Sequence, residues 1–139
     1  MHDIGNAINR THHAEYGALL ANDLLKETDM SLEDRITVVS AISNHDKSTG
    51  GAVDLVSAAL IIADKTDVRR SRVRQKERSA YDIHDRVNYA VTDAKLKIAE
   101  GRSVIALNLQ IDEKICSMND YFEIFLERMM LCRKAAEIL

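Results

Sequence analysis

Apolar residues recur at helical spacing in the first part of the chain. Over residues 12–27, His13, Leu20 and Leu24 fall on one face with Gly17 between them, a spacing that predicts an amphipathic helix. The polar residues of this segment fall mostly on other faces. We therefore expect this helix to bury the stripe from His13 to Leu24.

A second helix is predicted to begin at Ser31, because the Ser31-x-x-Asp34 arrangement places a capping hydroxyl before an acidic first turn. It is predicted to end near His45. Its apolar face consists of Val38, Ala41 and Ile42.

A third helix is predicted from about Ala52 to Asp67. It is apolar nearly all round, which is typical of the central helix of a bundle. Residues 1 to about 78 are thus expected to be all-helical.

The period of the pattern then changes from helical to alternating. Apolar residues alternate with polar or small ones in two runs, with Glu100-Gly101-Arg102 as the turn between them, which predicts a β-hairpin with one buried face. The alternating positions are Ala94, Leu96, Ile98, Ile105, Leu107, Leu109 and Ile111.

A last helix from about Ser117 is expected to cover that face. Its apolar positions are Tyr121, Phe122, Phe125, Leu126, Met129 and Ala136. The fold class is therefore α+β, with a helical domain over 1–80 and a ββα packing or oligomerisation unit over 81–139. Since a two-stranded sheet is marginally stable alone, we expect pairing with a further strand or another chain, most simply a homodimer.

The composition of the chain excludes several classes of protein. With 139 residues and 46% hydrophobic content, the chain can bury one sizeable core, which excludes a large multidomain enzyme. A net charge of −3 argues against a general nucleic-acid or membrane-surface binder. The longest apolar run, Ala58 to Ala63, is too short to cross a bilayer. Cys116 and Cys132 do not suggest a disulfide framework, so we expect a cytoplasmic protein.

Asp64 is the first candidate for chemistry, because it closes that apolar run. An unpaired carboxylate there is costly, and the C-terminal half of a helix disfavours negative charge. Its partner is either a cation of the chain, from Lys65, Arg69 or Arg70, or a metal ion.

Three histidines, His2, His13 and His45, are further candidates. His45 and His13 are predicted to point inward, either as hydrogen-bonded core residues or as ligands, whereas the neighbouring His12 is predicted to face solvent. His2 and Asp3 precede Gly5, which permits a close backbone approach. Imidazole and carboxylate groups together suit Fe, Mn, Zn or Co ions, and a carboxylate can bridge two of them. Taken jointly, these residues favour a metal site.

The same residues resemble a known family. His2-Asp3-Ile4-Gly5 is similar to the HDIG signature of the HD superfamily of metal-dependent phosphohydrolases, and the segment from His13 to Ala18 resembles its H-x-x-x-G-A helix start. Asn44-His45-Asp46 and Ala63-Asp64-Lys65 resemble its later His and distal Asp, in family order. The resemblance covers residues 1 to about 75.

The resemblance implies a ligand set. His2, Asp3 and Asp64 would hold one divalent ion, and Asp3 would bridge to a second ion held by His13 and His45; Mg is also a candidate metal. The family has a further metal-binding histidine upstream of the HD pair, which is not among residues 1–139. His84 is either a linker residue or its replacement across a dimer.

The segment from Arg69 to Arg78 is rich in arginine. It is either a solvated basic face or a phosphate clamp, with Arg69 and Arg70 as the expected phosphate-binding residues. The resemblance implies hydrolysis of a nucleotide or related phosphate ester. Asp3 and Lys65 are the expected catalytic residues, with Asp3 holding the ions and Lys65 neutralising charge on the phosphate. The alternative is a catalytically degenerate metal-binding or nucleotide-sensing module that dimerises through its ββα unit.

Overall fold

The structure is a computed structural model that describes residues 1–46, 50–73, 83–101 and 104–139. It confirms the α+β class, with helices first and an antiparallel hairpin after them. The helices are α1 (His13–Leu25), α2 (Leu32–Ser43), α3 (Leu55–Thr66), α4 (Ile83–Ala90) and α5 (Met118–Ala136), and the strands are β1 (Val91–Ile98) and β2 (Ile105–Ile111). Short 3-10 turns lie at Ile4–Ala7, called the N-terminal turn below, and at Arg70–Arg72.

The chain forms two compact units. The first contains Met1–Asp64 and Leu131–Leu139, and the second contains Lys65–Met130. The predicted domain division at residue 80 stays a prediction, because residues 74–82 lie outside the described part of the chain.

The buried face of α1 is built from small residues. The buried residues are Ala14, Gly17, Ala18, Ala21 and Leu25, and Ala18 and Ala21 pack with Ile42 of α2. Leu24, predicted to point inward, is 51% exposed. That prediction was wrong because small side chains let α1 approach its neighbours closely, so the face carrying alanine and glycine is the one buried.

Two glycines let the N-terminal turn lie directly against α1. A Cβ on Gly5 would lie 2.5 Å from the amide nitrogen of Gly17 and closer still to the carbonyl oxygen of His13. A Cβ on Gly17 would lie 2.8 Å from the carbonyl oxygen of His2. Gly5 was expected to let the backbone approach whatever His2 and Asp3 hold, whereas the close approach in the structure is to the backbone of α1.

Ser31 caps α2 as predicted. Its hydroxyl accepts a hydrogen bond from the Asp34 amide at 3.0 Å and donates one to the Asp34 carboxylate at 2.8 Å. The predicted apolar face is buried at Ala41 and Ile42, and Val38 is half-buried.

Only one face of α3 is buried. That face carries Ser57, Ala58, Ile61 and Ile62, whereas Leu55 and Val56 at its start are exposed. The expectation of a central helix buried nearly all round was therefore wrong, since Ala59 and Ala63 farther along α3 are exposed too.

The predicted hairpin is present in the second unit, with β1 and β2 paired antiparallel. Ala94 pairs with Leu109 and Leu96 with Leu107. Tyr121 and Phe125 of α5 are buried in the same cluster as the half-buried residues Leu107 and Leu109, so α5 covers part of the predicted face. Leu96 and Ile98, also expected on that face, are 45% and 65% exposed. Arg102 of the predicted turn lies outside the described residues.

Two details of the second unit differ from the sequence analysis. Phe122 and Leu126, expected on the buried stripe of α5, are 58% and 57% exposed, because Tyr121 and Phe125 on the adjacent face make the core contact. His84 was expected in a linker or at a replacement metal position. It lies in the first turn of α4, with its side chain exposed.

Among the described residues, no helix combines the length and apolar character that crossing a membrane requires.

Candidate metal centre

Four separate segments of the first unit bring five side chains together. His2 and Asp3 immediately precede the N-terminal turn, His13 is the first residue of α1, and His45 follows α2. Asp64 lies in the last part of α3. These are the five residues that the sequence analysis selected as metal ligands, and the packing of the N-terminal turn on α1 places the first two beside His13.

The carboxylate of Asp3 lies at the middle of the cluster and faces both sides of it. One oxygen, Oδ2, lies 3.5 Å from Nε2 of His2. The other, Oδ1, lies 3.7 Å from Nε2 of His13 and 3.9 Å from Nε2 of His45. A carboxylate placed in this way can contribute one oxygen to each of two neighbouring cations.

His2 connects Asp3 with Asp64. Its Nε2 lies 3.5 Å from Oδ1 of Asp64, whose side chain is only 10% exposed. This nitrogen is buried and forms no hydrogen bond with any described residue. A buried polar atom without a hydrogen bond calls for an explanation such as a bound ion, and the lone pair of an imidazole nitrogen suits one.

His13 and His45 face each other through the same type of atom. Their Nε2 atoms are 3.2 Å apart. The Nδ1 atom of His13 donates to the carbonyl oxygen of Arg10 at 3.0 Å, and that of His45 donates to the carbonyl oxygen of Ile42 at 2.6 Å.

These contacts determine where the lone pairs lie. A carbonyl oxygen can only accept, so both Nδ1 atoms carry hydrogen, and in the neutral rings both Nε2 atoms carry lone pairs. Two lone pairs at this separation repel each other. A cation between them would remove that repulsion. Hydrogen bonding of the far ring nitrogen to a carbonyl is also the usual support of a metal-bound histidine.

The spacing of the donor atoms fits small divalent ions. Nitrogen and oxygen ligands at about 2.0 to 2.2 Å from a tetrahedral zinc ion are roughly 3.3 to 3.6 Å apart, and the nearest donor pairs here are 3.2 to 3.5 Å apart. Two groups of three donors lie within 4.8 Å of one another, His2 with His45 and Asp64, and Asp3 with His13 and His45. The described residues can therefore hold a metal ion. His45 is in both groups, but its single lone pair can bind only one ion. Two ions could therefore be held only if the Asp3 carboxylate bridged them.

The neighbouring histidine behaves as predicted. The side chain of His12 is 60% exposed, and its ring lies 3.4 Å from the carboxylate of Glu15. Neither His12 nor His84 belongs to the two ligand groups found among the described residues.

The predicted cationic residues belong to the second unit, where they have contacts of their own. Arg69 forms an ion pair with Asp67, and this contact raises the pKa of the guanidinium. Arg70 donates to the carbonyl oxygen of Tyr89 at 2.8 Å and stacks 4.4 Å above the ring of Tyr89. Lys65 lies half-buried in the last turn of α3. Residues 74–78 of the basic segment lie outside the described part of the chain.

The sequence analysis missed the supporting groups of the cluster. The carbonyl oxygens of Arg10 and Ile42 orient the two imidazoles, and a backbone carbonyl has no signature in a sequence. The signal that was available is positional, since each carbonyl lies three residues before its histidine.

Comparisons of the chain with protein-family models, with curated proteins and with solved structures found no match.

Proposed function

We propose that this protein is a metal-dependent phosphohydrolase that acts on a nucleotide or a related phosphate ester. The observation that carries the proposal is the Asp3 carboxylate, which faces His2 with one oxygen and the His13–His45 pair with the other. This division matches the ligand sets that the resemblance to the HD superfamily implies.

Divalent ions at such a cluster lower the pKa of a bound water to near neutrality and polarise phosphoryl oxygens. The protein's part is to hold the donors in place. Asp3 and Asp64 supply negative charge, and the carbonyls of Arg10 and Ile42 fix the rings of His13 and His45. Lys65, Arg69 and Arg70 are proposed, on sequence alone, to neutralise the phosphate. Among the candidate metals, the imidazole-rich donor set favours Fe, Mn, Zn or Co over Mg.

The test combines metal content with turnover. We expect the purified protein to bind transition metal and to hydrolyse aryl phosphates and members of a nucleotide panel, with activity lost on chelation and restored by metal. His13→Ala is expected to lose both metal and activity. His12→Ala is the matched control, because it removes the adjacent, exposed imidazole and should change neither. Equal metal content in the two variants would remove His13 from the site.

A second candidate is a metal-binding or nucleotide-sensing module without turnover, assembled as a dimer through the hairpin and α5. It is favoured by the contacts of Arg69 and Arg70, which are engaged by Asp67 and Tyr89 and so must exchange partners to bind phosphate. Near-stoichiometric metal without metal-dependent hydrolysis of any ester would select this module. A protein that binds no divalent metal would refute both candidates.

A further inference from the structure

An apolar cavity of about 290 Å³ lies in the first unit beside the metal-ligand cluster. It opens between the residues before the N-terminal turn, α2 and α3. Apart from His2, its lining is aliphatic, chiefly Val38, Ile42, Val56 and Leu60. No hydroxyl, amide or charged side chain lines it among the described residues.

The cavity and the cluster share one side chain. The ring of His2 lines the cavity, while its Nε2 lies 3.5 Å from the carboxylates of both Asp3 and Asp64. A molecule in the cavity would therefore lie against a residue of the metal-ligand cluster. The occupant that uses both features has an apolar part attached to an anionic part. Because Asp3 and Asp64 are themselves negative, the anionic part is attracted only when cations occupy the cluster.

The size and lining of the cavity define the apolar part. An enclosed apolar cavity of about 150 Å³ holds a benzene molecule, and this larger cavity, which is open to solvent, has room for a single or fused flat ring. Apart from His2, the lining side chains offer no hydrogen-bond partner for the polar edge of a ring, so selection rests mainly on apolar burial and shape.

We propose that this cavity binds the aromatic ring of the phosphate ester whose phosphate lies at the metal cluster, so that the enzyme prefers esters with a flat apolar group over small polar esters. This inference rests on the proposed hydrolase function. It also implies weak discrimination between adenosine and guanosine monophosphates, which share a ring size and differ in edge polarity.

The activity test compares phenyl phosphate with glycerol phosphate. Val56→Ser replaces an apolar cavity wall at a side chain that is 46% exposed, so folding is expected to be retained. It should lower kcat/KM for phenyl phosphate by about tenfold, as expected for loss of apolar contact in a binding pocket, and leave that for glycerol phosphate unchanged. Leu55→Ser is the matched control, because Leu55 is 60% exposed on the same helix and does not line the cavity. Equal effects of the two substitutions would overturn the inference.

A binding test separates this inference from the hydrolase proposal. We expect phenylphosphonate to shift the methyl NMR signals of Val38, Val56 and Leu60 in the metal-loaded protein. Methylphosphonate should not shift them, and the phenylphosphonate shifts should vanish after chelation. If these shifts occur but no ester is hydrolysed, ring binding in the cavity is supported and the hydrolase function is refuted. If esters are hydrolysed without these shifts and without a preference for phenyl phosphate, ring binding in the cavity is refuted and the hydrolase function is not.

Discussion

Gly5→Ala should separate the N-terminal turn from α1 and dismantle the metal-ligand cluster. The added Cβ would lie 2.5 Å from the amide nitrogen of Gly17, whereas ordinary contact begins at 3.4 Å. Both nearby groups, the Gly17 amide and the His13 carbonyl, are backbone and cannot rotate away. The turn must therefore move by about 1 Å, several times the roughly 0.2 Å tolerance of a metal–ligand distance.

The expected magnitudes follow from this displacement. Overpacking against rigid neighbours typically destabilises by 1–3 kcal/mol, and backbone neighbours place this substitution at about 3 kcal/mol. Thermal denaturation should show a Tm lower by about 10 °C. Because His2 and Asp3 move with the turn, the metal content after dialysis should fall well below that of the unsubstituted protein.

A series of glycine substitutions tests the reasoning. Gly17→Ala should act in the same direction but less strongly, since its Cβ would lie 2.8 Å from the carbonyl oxygen of His2. Gly101→Ala is the control. It adds the same methyl group with nothing within 4 Å, at a φ of 84°, so it should cost about 1 kcal/mol of backbone strain and leave metal content unchanged. A Gly5→Ala protein with unaltered metal content and Tm would refute the close approach as the basis of the site.

The other predictions concern stability. Tyr121→Phe should stabilise the protein by about 1 kcal/mol in urea denaturation, because it removes a buried hydroxyl that has no hydrogen-bond partner among the described residues; a loss of stability would show that the hydroxyl is bonded. Burial raises the pKa of both Cys116 and Tyr121, so the folded protein keeps protons that the unfolded chain releases above about pH 8.5 for cysteine and about pH 10 for tyrosine. The stabilisation of the folded state that these two groups provide is complete below those pH values and is lost as the pH rises. The free energy of unfolding should therefore fall between pH 8 and 10.5, and a flat profile would contradict this. Ser31→Ala should lower the free energy of unfolding by about 1 kcal/mol, because it removes the cap of α2. Thermal melting followed by circular dichroism checks this, and a melting curve equal to that of the unsubstituted protein would exclude a capping role.

The candidate ligands could be predicted because their chemistry conflicts with their surroundings. Asp64 ends an apolar run, and His45 continues the face formed by Ala41 and Ile42. A titratable group on a buried face needs a partner, and this requirement is visible in a sequence. The partner itself is not visible in the sequence, so the nearness of His2 to Asp64 became apparent only in the fold.

The orientation of helices was less predictable than their existence. The sequence pattern placed Leu24, Phe122 and Leu126 inward, and all three are exposed. Leucine and phenylalanine give a strong apolar signal, whereas the alanines that α1 buries give a weak one. Which face is buried depends on how closely the neighbouring helix approaches, and that is a property of the tertiary contact.

The short helix α4 was missed altogether. Residues 83–90 combine charged and apolar positions over only eight residues, too few for a period to be recognised with certainty. The hairpin that follows was recognised because strict alternation over two runs is a stronger signal.

The scattered origin of the ligands has a consequence for handling the protein. His2, His13, His45 and Asp64 are far apart along the chain and meet only when the first unit is assembled, so an ion bound among them would act as a crosslink. Chelating agents should then behave as mild denaturants, and protein produced in metal-depleted medium should be cleaved faster by added protease than the same protein after metal is supplied.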